Sequence, residues 1–122
     1  MKWPTLKNRR QFDLVYSQGR KRTAQALVVF HLGAAPDQQV AFVASRKVGG
    51  AVQRNRAKRL MREAFRRVAE AQRMPQGWFV LIARATILEL GSDAVTRQLQ
   101  ELIPDVARTD GHGATADETE PR

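Results

Sequence analysis

Residues 54–67 read RNRAKRLMREAFRR, seven Arg or Lys with one Glu among them. Like charges this close repel one another, so the segment implies a polyanion that relieves the repulsion. Residues 46–73 hold ten bases against two acids, Glu63 and Glu70, where a helix needing only solubility would interleave its signs. Between 54 and 73, Arg outnumbers Lys by seven to one. A guanidinium fork matches pairs of phosphate oxygens and stacks on bases, so the chemistry is phosphate recognition on RNA or DNA rather than loose attraction to an anionic membrane. Just before, "SRKVGG" (45–50) sets Arg46 and Lys47 at a strand end. Gly49 and Gly50 permit close backbone approach at a helix N-terminus, where N–H groups face an anion. No Gly-Lys-Ser/Thr follows, so this is not a P-loop.

Other chemistries find little support. The acids are scattered and no nucleophile–base motif occurs, so a self-sufficient nuclease is not expected. There is no cysteine, hence no disulfide and no thiolate metal site. The histidines are His31 and His112; His31 alternates with apolar neighbours and reads as structural. Aromatic residues add a second theme. Phe12 and Tyr16 lie one turn apart and Phe30 sits in an apolar run. Core packing and base stacking compete evenly for Phe12 and Phe30, while the Tyr16 hydroxyl prefers a wet edge. Aromatics beside a basic groove are what single-stranded nucleic acid needs.

These residues require a scaffold. Asn8 is placed to cap a helix, with Gln11 three residues on in a capping-box arrangement. Phe12, Val15 and Tyr16 then share one face, and Gly19 stops the helix. "ALVVFHL" (26–32) and "VAFVAS" (40–45) read as strands around an "AAPDQQ" turn. "GRKRT" (19–23) is either an edge strand or a hairpin arm. A long helix follows Gly49 and Gly50 to about residue 72. At about 100° per residue, Ala57, Leu60, Met61, Ala64, Phe65 and Val68 gather as its core face. Asn55, Arg59, Arg62, Arg66 and Arg73 fall opposite, with Glu63 and Glu70 at the edge as i,i+3 and i,i+4 partners for Arg66, Arg67 or Arg73. "WFVLIA" (78–83) is another buried strand. Ser92 caps a last helix carrying Val95, Leu99, Leu102 and Ile103, ended by Pro104. The order helix, two or three strands, helix, strand, helix predicts a small α/β sandwich.

The 122 residues suit one domain, and the net charge of +9 speaks of partners rather than of fold. Residues 105–122 hold five acids and two bases and few large apolar groups, so an acidic disordered tail is expected there. The folded domain, expected to bind nucleic acid (RNA foremost), then spans 1–104, with 19 bases and seven acids. No apolar run approaches the roughly 20 residues of a membrane span. "MKWPTLKNRR" lacks the apolar stretch of a signal peptide, so a cytoplasmic protein is expected.

The segment "SRKVGGAVQRNRAKRLMREAFR" (45–66) resembles the signature of the bacterial ribonuclease P protein component. It carries that family's Arg-Asn-Arg core at Arg54, Asn55 and Arg56, then Lys58-Arg59 and Arg62-Glu63. "FDLVYSQG" (12–19) is similar to the family's first helix and "FVLIAR" (79–84) to its last strand, and the likeness runs over about residues 6–103. Gly50 departs from the Asn of many members. The resemblance implies an α+β sandwich with a four-stranded sheet and a left-handed βαβ crossover, like the second domain of the fifth small-subunit ribosomal protein; a general prior favours the right-handed form. It implies the protein subunit of a ribonucleoprotein endoribonuclease whose RNA is the catalyst and which removes the 5′ leader of precursor tRNA. Magnesium ions would be held mainly by the RNA and substrate. Arg46, Lys47, Arg54, Asn55, Arg56, Lys58, Arg59, Arg62 and Arg66 match the family's RNA-facing region, and Phe12, Tyr16 and Phe30 its leader cleft. The partners implied are ribonuclease P RNA and precursor tRNA. From the residues alone, a ribosomal or other structured-RNA-binding protein is the first rival. A DNA-binding helix is the second, lacking a helix-turn-helix or dimer signal. An amphipathic membrane helix is weakest, because Leu60, Met61 and Phe65 are needed for the core.

Overall fold

A computed structural model describes residues 3–106. Helix α1 (Arg9–Gln18) begins at the expected capping box: Gln11 N–H donates to Asn8 Oδ1 at 3.0 Å, and Asn8 N–H to Gln11 Oε1 at 3.4 Å. Strands β1 (Arg20–Thr23), β2 (Leu27–Leu32) and β3 (Gln39–Val43) follow, then α2 (Ala51–Ala71), β4 (Trp78–Ala83) and α3 (Ile87–Val106). The sheet order is β1-β2-β4-β3. β1 and β4 each pair antiparallel with β2, while β3 and β4 run parallel and are joined through α2.

Pleating divides the sheet into two faces. On one, Leu27, Val29, Val40, Phe79 and Leu81 meet the apolar stripes of α2 and α3. On the other, Ala41, Trp78 and Val80 meet Val15 of α1. The segment before α1 wraps the β3 edge. Val40 N–H donates to the Pro4 carbonyl at 3.0 Å, Leu6 is buried beneath α1, and the Trp3 ring stands edge-on to Phe65 with centroids 4.8 Å apart. Unpaired strand edges invite aggregation, and this strap covers one.

Three expectations need correction. β3 ends at Val43, and residues 44 and 45 enter the turn before α2. The last helical segment begins earlier than expected, at Ile87; Gly91, at φ 78° and ψ 170°, breaks it in two, and the second part opens at Ser92, where the sequence placed a helix start. Nor does Pro104 end that helix, which runs on to Val106. Proline costs a helix one hydrogen bond and some strain. Here Val106 is fully buried and Asp105 meets Arg22 at 3.1 Å, which together hold the final turn. The first two residues assigned to the tail are therefore helical; 107–122 lie outside the described residues.

His31 is structural, as its alternation implied. Its ring stacks on Phe79 at 4.4 Å, and Nε2–H donates to the Gln76 carbonyl at 2.7 Å. Burial pushes the imidazole below its ordinary 6.5, outweighing backbone bonds to Gln76 and Val106 that pull upward, and Arg20 adds to the lowering. The unfolded chain binds this proton at a higher pH than the folded one. The stabilisation is thus complete above the ordinary value and shrinks as pH falls from there toward the folded value. Urea midpoints measured from pH 7.5 down to 5 should fall, with a His31 contribution of at most about 1.4 kcal/mol per pH unit. In His31→Gln that part of the fall should vanish, and an unchanged pH profile would remove His31 as its source.

Candidate nucleic-acid interface

Helix α2 divides its faces as its period requires. Ala57, Met61, Ala64, Phe65 and Val68 are buried, and Leu60 packs partly against them. Asn55, Arg56, Arg59 and Arg62 are exposed, and Lys58 is half-buried. Arg62 lays its guanidinium over the Phe42 ring, 5.4 Å from the centroid. This cation–π contact fixes the side chain beside β3 without neutralising its charge.

Further along, the charge is already met. Arg66 sits between Glu63 at 2.7 Å and Glu70 at 3.0 Å, and those carboxylates raise its pKa above the ordinary value, Glu70 foremost. Arg67 is held by Glu63 and by Asp93 of α3, each at 3.2 Å. Among the described residues, the stripe cations left without a carboxylate are therefore Arg59 and Arg62, with Arg56 beside them, and Arg73, which is exposed just beyond α2 and does not make the pair with Glu70 that the spacing allowed. On the α3 side, Arg56, Arg59, Leu60, Glu63, Arg67 and Ser92 line an open groove of about 310 Å³.

Arg46 and Lys47 are exposed in the turn between β3 and α2. Val48 N–H donates to the Ser45 carbonyl at 3.0 Å and Gly49 N–H to the Arg46 carbonyl at 3.1 Å. Lys47 N–H donates to Ser45 Oγ at 3.2 Å. Arg54, alone of the Arg-Asn-Arg core, is half-buried, and its Nη1 donates to the Gly49 carbonyl at 3.0 Å.

The three aromatics come together beside α1. Tyr16 stands edge-on to Phe30 at 5.0 Å and lies 6.1 Å from Phe12. Phe12 and Phe30 are half-buried, while Tyr16 is 40% exposed, so packing and presentation share these rings as their chemistry allowed. Burial, and secondarily Asp13, raise the Tyr16 hydroxyl above its ordinary pKa, so it stays neutral and can donate. Val43 and Ile82, partly exposed on the same sheet face, continue this floor to the end of β3 where the basic turn begins.

Lys21 was missed. It lies opposite Phe30 in the β1–β2 register, with its ammonium 5.7 Å from the ring centroid. Only the pairing of "GRKRT" as an edge strand could have revealed it. Among the described residues no three His, Cys, Asp or Glu converge to hold a metal ion.

The comparisons agree on one family. The family model described as ribonuclease P matches residues 2–106. A ribonuclease P protein component from Nitratiruptor sp. is 34% identical over 104 residues, covering 85% of this chain and 93% of its own. One from Symbiobacterium thermophilum is 42% identical over 100 residues, covering 80% and 85%. The solved ribonuclease P protein of Thermotoga maritima superposes with a TM-score of 0.71 at 29% identity, over 84% of this chain and 96% of its own. That of Staphylococcus aureus, at 22% identity and a TM-score of 0.72 over 88% and 100%, shares the fold.

Proposed function

Because the chain belongs to the ribonuclease P protein family, we propose a working arrangement in which its two surfaces hold two parts of one RNA assembly. It is the protein component of ribonuclease P, a ribonucleoprotein endoribonuclease of tRNA processing, and its partner is a ribonuclease P RNA. In our reading the basic turn and the first turns of α2 bind RNA backbone through Arg46, Lys47, Asn55, Arg56, Lys58, Arg59 and Arg62. Arg66 serves there more weakly, through a charge it shares with Glu63 and Glu70. The aromatic floor of Phe12, Tyr16 and Phe30, with Lys21 at its rim, stacks the bases of the precursor's single-stranded 5′ leader.

The observation that carries this reading is the continuity of the two surfaces. The apolar floor ends at Val43, and the turn bearing Arg46 and Lys47 starts there. A strand stacked on the floor has its phosphates led toward arginines, and stacking tolerates any base. Leaders of differing sequence can therefore be held in one register while the RNA subunit does the cutting. In this reading the magnesium ions of that reaction are held by RNA and substrate. Among the described residues no helix is long and apolar enough to cross a membrane. In our reading the protein works in the cytoplasm because precursor tRNA is its substrate there.

Mixing the protein with a bacterial ribonuclease P RNA and precursor tRNA, at magnesium too low for the RNA alone, should yield the correct 5′ cut. The protein alone should cut nothing. Accurate cleavage by nuclease-free protein without RNA would overturn the division of labour.

Salt dependence tests the stripe. Log affinity for RNA should fall with log salt by about 0.7 to 0.9 per phosphate contact. Arg62→Ala should lower that slope by about one contact's worth. Arg66→Ala should lower it less, because Glu63 and Glu70 already meet that charge. Equal changes in both variants would mean that the ion pairs open on binding.

A further inference from the structure

We propose that Arg54, the first arginine of the Arg-Asn-Arg core, is a positioning residue that clamps the basic turn to α2 rather than an RNA contact. Its functional consequence rests on the RNA-binding reading above; its structural part does not.

Three observations converge. First, Arg54 is the half-buried member of the trio, whereas Asn55 and Arg56 are exposed. Its Nη1 donates to the Gly49 carbonyl at 3.0 Å, and its N–H donates to the Gly50 carbonyl at 2.9 Å. The backbone bond is the first i→i−4 bond of α2, to its N-cap; the side-chain bond reaches one residue further back, into the turn. Second, the corner is built for this contact. Gly49 has φ 145°, and a Cβ there would fall 2.8 Å from the Gln53 Cβ. Only glycine fits this corner, whose carbonyl accepts from the guanidinium. Third, electrostatics disfavours the position. A cation near the start of a helix faces the positive end of its dipole, and Gly50 supplies no side-chain cap. A local acceptor such as the Gly49 carbonyl compensates for that placement.

The clamped turn is the one that carries Arg46 and Lys47, closed internally by the Ser45 and Arg46 carbonyls. Arg54 therefore sets where those two cations stand relative to Arg56 and Arg59. A lone loop cation pays ordering entropy on binding; a clamped one has already lost it.

The test has two arms. In the free protein, amide hydrogen exchange at Val48 and Gly49 is compared between wild type and Arg54→Met, which keeps bulk and removes the donor. Exchange at those two amides should rise at least about tenfold, as expected for local opening, while Val80 and Leu81 in the sheet stay protected. In the second arm, affinity for ribonuclease P RNA is measured through a double-mutant cycle with Lys47→Met. If Arg54 positions Lys47, the loss from Lys47→Met should largely disappear in the Arg54→Met background. Arg56→Met and Lys47→Met should instead multiply independently. Unchanged exchange at Val48 and Gly49, or independent losses at Arg54 and Lys47, would overturn the proposal. Should Arg54→Met not fold, the wild-type guanidinium decides the matter: its Nη protons, followed by NMR in the free protein, should exchange more slowly than those of Arg56, and equal rates would sink the clamp. If wild type binds no ribonuclease P RNA, the functional reading fails while the exchange arm still decides the clamp.

Discussion

Tyr16→Ala should bind leader-bearing precursor tRNA about fivefold to 150-fold more weakly, the equivalent of roughly 1–3 kcal/mol of base stacking. For mature tRNA, which has no leader, the loss should vanish. The physical basis is the exposure of Tyr16, at 40%, and its edge-on contact with Phe30 at 5.0 Å, which holds the ring as a ready platform. Tyr16→Phe should retain most of the affinity, because the face and not the hydroxyl does the stacking. Both variants should be checked for folding first, since the Tyr16–Phe30 contact itself is worth about 0.5–1.5 kcal/mol of stability. Equal losses on leader-bearing and leaderless tRNA in a folded Tyr16→Ala would show that no leader lies on this floor, and the assignment of Phe12 and Phe30 would fall with it.

Phe65→Ala should cost about 3–5 kcal/mol of stability, a large share of the roughly 5–15 kcal/mol available to a domain. The ring is fully buried and is packed edge-on by three others: Trp3 at 4.8 Å, Phe79 at 5.6 Å and Phe42 at 6.0 Å. It joins α2 to β3, to β4 and to the strap over the β3 edge. Truncation leaves a cavity that these rigid rings cannot readily fill. The midpoint of urea unfolding, at unchanged slope, measures the effect. A loss under about 1 kcal/mol would mean that Trp3 or Phe42 collapses into the space, at odds with the fixed geometry.

Such core dependence ties function to packing. The arginines of α2 face outward only because Phe65, Met61 and Val68 face inward, so a weakened seat for the helix disorders the proposed RNA surface as well. Loss of RNA affinity in core variants therefore needs a stability measurement beside it before it is assigned to a contact.

What the sequence determined by itself is local. The Asn8–Gln11 box, the faces of α2, the strands ending at Leu32 and Ala83 and the presence of a basic segment with phosphate-matching arginines all follow from spacing within a few residues, where helix and strand periods act. The ion pairs of Arg66 and Arg67 with Glu63 were legible for the same reason. Tertiary structure alone decided the rest. β1, read as RKRT, has no apolar alternation, and its identity comes from the ladder it makes with β2; Lys21 joins the aromatic floor only through that register. Pro104 reads as a stop until Val106 finds a buried place and Asp105 meets Arg22 from 83 residues away. Asp93 likewise reaches Arg67 across α2 and α3. Within the Arg-Asn-Arg core the types are legible and the roles are not. Whether an arginine donates to solvent and phosphate or back to a carbonyl depends on where the chain folds its own acceptors, and the positive φ of Gly49 puts one within 3.0 Å of Arg54.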